Sequence, residues 1–359
     1  MKVIQIIPTL AYGDAVGNDT LALKKVLVDM GYKTQIYAES IVPPLDNKAA
    51  LDIKKLQGLN HEDIIIYHLS TGTQLNFDVA KYKGRKIIIY HNITPPEFFR
   101  EYDDFFEQIS RWALDGACFL ADKADYCLAD SYFNKCNLRD LGYKNAIDVL
   151  PIVVPFEDYR KEPSQDIIKK YKDGRRNIVF TGRVAPNKCH QDIIAAFACY
   201  KKYYNSEARL FLVGSYKESD TYYRKLKRYI ELLEVEDVVF TGHIKFEEIL
   251  AYYTIADIFL CMSEHEGFCV PLIEAMFFEV PIIAYNCTAV PMTLGDGGIL
   301  IEKKDPVEIA ALINKILSDN VLNKQIKENQ KKRLEDFQYD KVTGMFKKYL
   351  EKFINIERF

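Results

Sequence analysis

Hydrophobic and polar positions alternate in blocks along this chain. Short runs rich in Val and Ile, such as KVIQIIP and DIIIYH, are separated by longer stretches in which apolar residues recur at helical spacing. Parallel strands covered by helices on both faces give this pattern. The chain is therefore predicted to be α/β.

The first half contains six predicted strands: KVIQIIP, KTQIYAE, DIIIYH, KIIIYH, YCLADS and AIDVLP. Amphipathic stretches at residues 18–30, 97–121 and 132–141 are the predicted helices between some of them. The pattern stops at PIVVPFEDYRKEPSQD, where three prolines and a rise in charge interrupt the periodicity. This stretch is the predicted linker after one complete doubly wound domain.

The alternation then restarts and predicts a second doubly wound domain. Its predicted strands are NIVFTG, ARLFLVG, DVVFTG, DIFLCM, VPIIAY and GGILI. Its predicted helices cover residues 191–204, 219–233, 246–254, 306–317 and 321–334. A last helix at 339–356 has no strand after it, so we expect domains at 1–155 and 156–338 followed by a separate C-terminal helix at 339–359.

Composition narrows the functional classes. A length of 359 residues with 48% hydrophobic composition can fill two cores, and the net charge of −3 singles out neither nucleic acid nor an anionic membrane. No apolar run reaches the roughly 18 residues of a membrane span, and the N-terminal run is too short for a signal peptide, which predicts a cytoplasmic protein. The eight cysteines form no CxxC pair and are interpreted as reduced, buried thiols.

Candidate chemistry is sought just after the strands, because open α/β sheets bind ligands beyond the carboxyl ends of their strands. With two such domains, the cleft between them is the expected site. The first strand is followed by PTLAYGDAVGNDT, where Gly13 and Gly17 allow a tight turn near an anion and Asn18, Asp19 or Thr20 can cap the next helix. The loop matches neither GxGxxG nor GxxxxGK[ST], so a simple turn with a helix cap remains an alternative.

The stretch VFTGRVAPNKCHQD places two cations between a strand end and a helix start. Arg183 and Lys188 could neutralise a diphosphate, the arginine through a bidentate fork and the lysine as a point charge. The alternative is that both are solvated surface cations.

The stretch SEHEGFCVPLIEAM predicts a turn followed by a helix that runs to about Phe278. Pro271 suits the first turn of that helix. The backbone amides of Phe268, Cys269 and Val270, which follow Gly267, would lie at the positive end of the helix dipole and could bind phosphate.

Two carboxylates flank this predicted phosphate site. Glu266 precedes the turn and would either point at hydroxyl groups next to the phosphate or lie in water, while Glu274 inside the helix is placed to meet vicinal hydroxyls. A phosphate group between two hydroxyl-rich groups describes a nucleotide sugar.

These residues resemble the retaining GT-B glycosyltransferases of glycosyltransferase family 4. Glu266 and Glu274 with GFCVPLIEAM are similar to the E(x7)E motif of that family, and TGRVAPNK is similar to its Arg and Lys loop. The resemblance covers nearly the whole chain in order. It implies two Rossmann-like domains that face a central cleft, the first for the acceptor and the second for the donor, with a C-terminal helix that crosses back to the first.

The resemblance also implies roles for individual residues. Arg183 and Lys188 would hold the donor diphosphate, Glu274 the ribose hydroxyls and Glu266 the transferred sugar. His91, which ends KIIIYH, would orient that sugar and support positive charge at the anomeric carbon through its backbone carbonyl neighbourhood. For an isolated histidine at a strand end, a structural role would be the simpler interpretation.

Further roles concern the base and the acceptor. His243 and Ile244 in FTGHI resemble the segment that meets the nucleobase, and His68 could line the acceptor side. Family members often carry two adjacent glycines in the first loop, whereas this chain has YGDAVGND. The departure leaves the phosphate contact of Gly13 unsettled and makes Asp14 a candidate acceptor-facing carboxylate.

The implied reaction transfers a sugar, with retention, from a nucleoside diphosphate sugar to an acceptor hydroxyl. UDP is the favoured nucleotide, with GDP-mannose as the alternative, and the acceptor is a glycan, a glycolipid or a small molecule in cell-surface polysaccharide biosynthesis. No metal and no further cofactor are implied.

The Lys and aromatic residues of the last helix also permit peripheral contact with the inner face of the membrane. The alternatives are a nucleotide-sugar binding module and a UDP-sugar epimerase of the same architecture; a phosphorylase using pyridoxal phosphate would need a cofactor lysine that no motif supplies.

Overall fold

The chain divides into two compact units in this computed structural model, which describes residues 1–11, 13–46 and 48–355. Unit 1 comprises Met1–Glu97, Phe105–Pro155 and Asp336–Phe359. Unit 2 comprises Phe98–Asp104 and Phe156–Glu335.

Unit 1 is built on a seven-stranded parallel sheet with the order β3-β2-β1-β4-β5-β6-β7. Its strands are β1 Val3–Leu10, β2 Ile36–Ile41, β3 Leu51–Asp52, β4 Ile64–Leu69, β5 Arg85–Tyr90, β6 Tyr126–Ala129 and β7 Ile147–Val149. Central strands β4 and β5 are buried almost throughout, which explains their continuous runs of isoleucine. Sequence reasoning missed β3, because a two-residue strand leaves no periodic pattern.

The helices of the first half are α1 Ala15–Asp29, α2 Leu75–Asp78, α3 Asp104–Leu120 and α4 Tyr132–Asp140, with short 3-10 turns at Ile53–Lys55, Val79–Lys81 and Pro96–Phe98. The predicted helix at 97–121 is wrong in its first part, since α3 begins only at Asp104. The amides of Tyr102 and Asp103 instead donate to the carbonyl of Phe99 in a turn. The aromatic residues of this segment follow a helical spacing, but the segment belongs to unit 2, and within that unit the Tyr102 ring packs on Tyr222.

Unit 2 is built on a six-stranded parallel sheet with the order β10-β9-β8-β11-β12-β13. Its strands are β8 Asn177–Thr181, β9 Arg209–Val213, β10 Val238–Gly242, β11 Ile258–Cys261, β12 Ile282–Tyr285 and β13 Ile299–Ile301. The strand order reverses at β8, which pairs with β9 on one side and β11 on the other. Such a reversal marks the usual ligand position of a doubly wound sheet.

The helices of the second half are α5 Phe156–Tyr159, α6 Gln165–Tyr171, α7 His190–Tyr203, α8 Thr221–Leu232, α9 Phe246–Ile255, α10 Val270–Phe277, α11 Val290–Leu294, α12 Pro306–Ser318, α13 Asn320–Leu334 and α14 Tyr339–Asn355. Two further 3-10 turns occupy Pro186–Lys188 and Glu335–Phe337. The predicted linker, residues 151–166, contains α5 and the first two residues of α6. Its prolines therefore separate short helices and do not mark extended chain.

The C-terminal helix α14 belongs to unit 1, although unit 2 precedes it along the chain. Its apolar stripe joins the core formed by one face of the unit 1 sheet; the stripe consists of Val342, Phe346, Leu350 and Phe353. This confirms that the last helix returns to the first domain. Among the described residues, no helix combines the length and apolar character that a membrane span requires.

We predict that Phe346→Ala destabilises unit 1. The ring is fully buried, so its loss removes apolar contacts and leaves a cavity at a cost of about 3 to 5 kcal/mol. Urea unfolding monitored by circular dichroism would measure the change. Lys348→Ala, on the exposed side of the same helix, is the matched control and should change stability by less than about 0.5 kcal/mol. Equal effects of the two substitutions would contradict the packing of α14 on the sheet.

Candidate active site

Two loops leave the carboxyl ends of neighbouring strands in unit 2. One follows β8 and carries Arg183 and Lys188; the other follows β11 and carries Glu266. Because β8 and β11 are paired in the sheet, the two loops begin side by side. The residues that the sequence singled out in two distant motifs are thereby brought together.

The loop after β8 is fixed by backbone bonds to the loop after β9. The Gly182 amide donates to the Val213 carbonyl at 2.8 Å, and the Val184 amide donates to the Ser215 carbonyl at 3.0 Å. A Cβ atom on Gly214 would lie 2.0 Å from the Gly182 carbonyl oxygen, so only glycine fits there. This close approach positions Arg183 on the exposed side of the loop.

Lys188 points inward and forms an ion pair with Glu266. Its Nζ donates to Oε1 of Glu266 at 2.6 Å, and the two side chains are only 22% and 8% exposed. Burial opposes the charged form of Lys188, but the nearby Glu266 carboxylate outweighs burial and raises the pKa of the ammonium group. Sequence reasoning gave these residues separate partners on a donor, whereas here they bind each other. Lysine has three N–H donors, so two remain for a further anion.

Asn187 is a positioning residue that sequence reasoning missed. Its Nδ2 donates to the carbonyl of His265 at 3.1 Å, and its carbonyl accepts from the Glu264 amide at 2.8 Å. The buried asparagine thereby ties the loop after β8 to the turn after β11. A single asparagine in the sequence gives no signal for this role, because it depends on which loops become neighbours.

The turn after β11 presents the N-terminus of α10. Cys269 adopts a left-handed conformation with φ 72°, and α10 begins at the next residue. The Thr293 hydroxyl donates to the carbonyl of Phe268, and the Glu266 amide donates to Oγ1 of Thr288 at 3.0 Å. Amides of the first helical turn have no partner within the helix, so those of Cys269 and Val270 lie at its positive end. The segment after Gly267, which was predicted to bind phosphate, therefore places backbone amides at the start of a helix.

Glu274 lies in the second turn of α10, and its carboxylate accepts from two tyrosines. The Tyr253 hydroxyl donates to Oε2 at 2.6 Å and the Tyr159 hydroxyl donates to Oε1 at 3.1 Å. Burial raises the pKa of Glu274, while the two hydroxyl donors act in the opposite direction. Neither tyrosine was predicted from the sequence. They orient the carboxylate and leave each oxygen a second acceptor site.

The segment predicted to meet a nucleobase follows β10. His243 is exposed, whereas Ile244 packs against the apolar cluster of the sheet. Gly242 just before them has φ 72°, and beside this turn the rings of Tyr216 and Tyr223 stack with centroids 4.1 Å apart. The aromatic pair is a further feature that sequence reasoning missed.

Unit 1 contains a buried chain of polar side chains at the ends of β4 and β5. His91 Nδ1 lies 2.9 Å from Oδ2 of Asp130, His91 Nε2 lies 2.9 Å from Nδ1 of His68, and His68 Nε2 lies 2.9 Å from Oε1 of Gln5. Gln5 donates its own Nε2 to the Thr20 carbonyl, which leaves Oε1 to accept from His68. A neutral His68 then accepts from His91, and His91 donates at both nitrogens.

The pKa shifts agree with this assignment. Burial and then the charge on His91 lower the pKa of His68 well below its usual value, so His68 is neutral. Burial opposes charge on His91 as well, but Asp130 outweighs it and raises the pKa of that imidazole. The chain is therefore an imidazolium held between a carboxylate and a neutral imidazole.

This arrangement limits what either histidine can do. His68 is fully buried with both ring nitrogens bonded, so the prediction that it lines a surface for the acceptor is wrong. The His91 side chain is 1% exposed, although the residue as a whole is partly exposed. Only the main chain of His91 remains accessible, and Asn92 turns away after it with φ 74°.

The loop after β1 differs from the prediction in its helix cap. The predicted caps at 18–20 lie inside α1, and Asp14 is the cap, since its Oδ2 accepts from the Gly17 amide at 3.1 Å. The side chain of Asn18 instead accepts from the Gly13 amide at 3.3 Å. Gly13 has φ 81° with open space at its Cβ position, as a tight turn requires. Asp14 is thus used structurally, which argues against its free presentation to an acceptor.

Asp19 is buried inside α1, next to the histidine chain. Its Oδ1 accepts from the Val153 amide at 2.9 Å. Burial raises its pKa from 3.8 to about 7. The charge on His91 acts to lower this pKa, and the charge on Asp130 acts to raise it. The group therefore titrates near neutral pH.

Comparisons with known proteins agree with this fold. The model of the family described as Glycosyl transferases group 1 matches residues 162–333, nearly all of unit 2. This stretch contains the loop with Arg183 and Lys188 and the turn with Glu266 and Glu274. The match therefore covers the motifs on which the sequence resemblance rested.

Two curated relatives share part of the sequence. The capsular polysaccharide biosynthesis glycosyltransferase CapM of Staphylococcus aureus is 28% identical over 218 residues, which are 58% of this chain and 56% of CapM. An uncharacterized glycosyltransferase of Methanocaldococcus jannaschii is 26% identical over 294 residues, 79% of this chain and 73% of its own length. The aligned part thus spans little more than half of CapM.

Among solved structures, Anabaena HepE in complex with UDP and glucose has a TM-score of 0.76. The superposition covers 98% of this chain and 100% of HepE at 17% identity, so it supports the fold alone. Residues 162–333 thus resemble the glycosyl transferases group 1 family, and the whole chain shares the GT-B fold of HepE. The predicted fold is confirmed.

We predict that Asp19→Asn removes a pH dependence of stability. The raised pKa means that the folded state holds a proton that the unfolded state loses, so this group lowers the free energy of unfolding as pH rises from about 4 to about 7. Each unit of pKa difference corresponds to about 1.4 kcal/mol. Asn keeps the acceptor for Val153 but cannot ionise, so the variant should gain stability over the native chain across this range.

Urea unfolding at a series of pH values would measure the difference. Asp29→Asn, an exposed aspartate of the same helix, is the control and should leave the pH profile unchanged. A constant difference between Asp19→Asn and the native chain from pH 4 to 8 would contradict the assigned titration.

Proposed function

We propose that the protein is a retaining glycosyltransferase that moves a sugar from a nucleoside diphosphate sugar to an acceptor hydroxyl. The observation that carries the proposal is the buried ion pair of Lys188 and Glu266 beside the N-terminus of α10, with Glu274 held one to two turns further on. Cations and helix amides suit a diphosphate, and flanking carboxylates suit sugar hydroxyls.

The donor is a UDP-sugar in this proposal, with GDP-mannose as the alternative. The structural neighbour HepE, which was solved with UDP and glucose, supports UDP. The relative CapM, by its name, acts in capsular polysaccharide biosynthesis, which supports a glycan or lipid-linked acceptor in cell-surface polysaccharide biosynthesis.

Unit 2 binds the donor through its two loops. Arg183 and Lys188 neutralise the diphosphate together with the amides of Cys269 and Val270. Glu274 accepts hydrogen bonds from the ribose hydroxyls, since its tyrosine partners leave acceptor sites on both oxygens. Glu266 accepts from hydroxyls of the transferred sugar through the oxygen that Lys188 does not occupy.

Unit 1 contributes His91 to the reaction. Its side chain is engaged with Asp130 and His68, so we assign the contact with the transferred sugar to its main-chain carbonyl. A carbonyl dipole can stabilise positive charge that develops at the anomeric carbon.

In the reaction, the bond from the anomeric carbon to the phosphate oxygen breaks while the acceptor oxygen bonds to the same face of that carbon. The leaving phosphate accepts the acceptor's proton, so neither a protein nucleophile nor a metal is required. Charge on the departing diphosphate is stabilised by cations that are fixed before reaction, and this is the main source of rate enhancement.

A donor screen tests the proposal. Thermal-shift measurements against nucleoside diphosphates and their sugars should reveal selective stabilisation by one nucleotide, because ligands that bind only the folded state raise stability by mass action. Product analysis of the selected donor with and without acceptors then separates transfer from epimerisation. Absence of stabilisation by every nucleotide would overturn the proposal.

We predict that Arg183→Ala lowers the transfer rate by roughly 100- to 1,000-fold, the usual loss for one donor that stabilises a developing oxyanion. Arg183→Lys should lose less, because it keeps the charge but not the bidentate fork. Steady-state kinetics would measure both variants. Arg228→Ala, an exposed arginine on α8, is the control and should retain the native rate. Native rates for both Arg183 variants would contradict the assignment.

We predict that Tyr253→Phe narrows the pH range of donor binding. Glu274 must be ionised to accept from ribose, and the Tyr253 hydroxyl lowers its pKa, so loss of the hydroxyl raises that pKa. As the pH decreases, the nucleotide affinity of the variant should therefore begin to fall at a higher pH than that of the native protein. Calorimetric titration with UDP from pH 8 to 5 would measure the midpoint. Tyr252→Phe is the control, and a midpoint shared by all three proteins would refute the role of Glu274.

A further inference from the structure

A cluster of side chains that could bind a metal ion lies at the same turn of unit 2. Cys261 ends β11, Cys269 is the residue before α10, and Glu266 lies in the turn between them. One sulfur from each cysteine and one oxygen from the glutamate all lie within 4.8 Å of one another. The three residues are 0%, 6% and 7% exposed, so the cluster is almost entirely buried.

The donor atoms suit a thiophilic divalent cation. Zn²⁺ prefers tetrahedral sites with thiolate and carboxylate ligands, in which two sulfurs are separated by about 3.8 Å. Ligand atoms within 4.8 Å of one another therefore need to move by only about 1 Å. Three protein ligands would leave a fourth position for water.

The charge of the cluster also balances. With both thiols protonated, the Lys188 ammonium and the Glu266 carboxylate sum to zero. A divalent cation that displaces the two thiol protons forms a complex with two thiolates and one carboxylate of net charge −1, and Lys188 again neutralises it. Exchange of two protons for the cation thus leaves no uncompensated buried charge, which would otherwise be costly. Lys188 can keep its bond to Oε1 while Oε2 binds the cation, as outer partners of metal ligands do.

We propose that Cys261, Glu266 and Cys269 form an inhibitory site for a thiophilic divalent cation such as Zn²⁺. Glu266 and Cys269 reach the surface slightly and give the ion a path, while Cys261 closes the site from within. The bound ion withdraws Glu266 from sugar hydroxyls and places a negatively charged complex beside the amides of α10. Nucleotide and cation therefore compete, and transfer itself requires no metal.

A rival cluster in the described residues consists of Cys189, Asp192 and Glu264. Its carboxylates are occupied by Lys304, whose Nζ donates to Asp192 at 2.9 Å and to Glu264 at 2.8 Å. It also offers one thiol instead of two. It is therefore the weaker site for a thiophilic ion and supplies the matched control.

The test is a titration of the reduced protein with Cd²⁺, a spectroscopic substitute for Zn²⁺. Cys118 and Cys136 are first replaced by serine, because these exposed thiols would bind cadmium on their own. We expect a thiolate-to-cadmium ultraviolet band that saturates at one ion per chain, with release of about two protons per ion. Cys261→Ser in this background should weaken binding at least tenfold, whereas Cys189→Ser should leave it unchanged. Loss of the band in Cys189→Ser but not in Cys261→Ser would overturn the proposal.

A second measurement avoids any variant that fails to fold. Alkylation of the native chain followed by peptide mass spectrometry should show that Zn²⁺ protects Cys269, the cysteine of the pair that reaches the surface, and that chelation makes it reactive again. Equal labelling of Cys269 with and without Zn²⁺ would overturn the site. These readouts report metal binding alone, so they remain decisive even if the nucleotide screen fails. If that screen succeeds, saturating Zn²⁺ should weaken nucleotide affinity at least tenfold in the native protein and not in Cys261→Ser.

Discussion

The buried ion pair between Lys188 and Glu266 is the interaction on which the site in unit 2 depends. It joins the loop after β8 to the turn after β11, the two loops that leave the sheet where its strand order reverses. A buried charge without its partner is strongly destabilising, so each of the two residues holds the other in place. Asn187 and Thr288 fix the backbone on either side of the pair. The result is a set of polar groups that is ordered before any ligand arrives.

Unit 1 also contains buried polar side chains that bond to one another, but their role differs from that of the ion pair in unit 2. There the polar groups at the strand ends bond to one another, from Asp130 through His91 and His68 to Gln5. Because these side chains bond to one another, they do not reach outward. They fix the position of the backbone at the end of β5. An imidazolium buried between two acceptors also restricts the ring to one orientation.

The sequence predicted the two parallel sheets, because buried strands and amphipathic helices differ in hydrophobic period. It also located the polar residues after β8 and β11, since chemistry collects at strand ends. It did not predict the partners of these residues: the tyrosines that bond to Glu274 gave no signal, and His68 and His91 were assigned to the acceptor and the transferred sugar instead of to each other. Pairing is set by which side-chain atoms meet after folding, and no linear pattern encodes that. The helix that starts at Asp104 shows the same limit, because the aromatic residues before it follow a helical spacing although they form a turn, in which Tyr102 packs on Tyr222.

The central claim is that fixed cations and the N-terminus of α10 form a binding site for a diphosphate. A crystal structure of the protein soaked with UDP would test this most directly. The account predicts the diphosphate within hydrogen-bonding distance of Lys188 and of the Cys269 and Val270 amides, with the ribose on Glu274. A diphosphate bound elsewhere, with the Lys188 and Glu266 pair undisturbed and remote from it, would contradict the account.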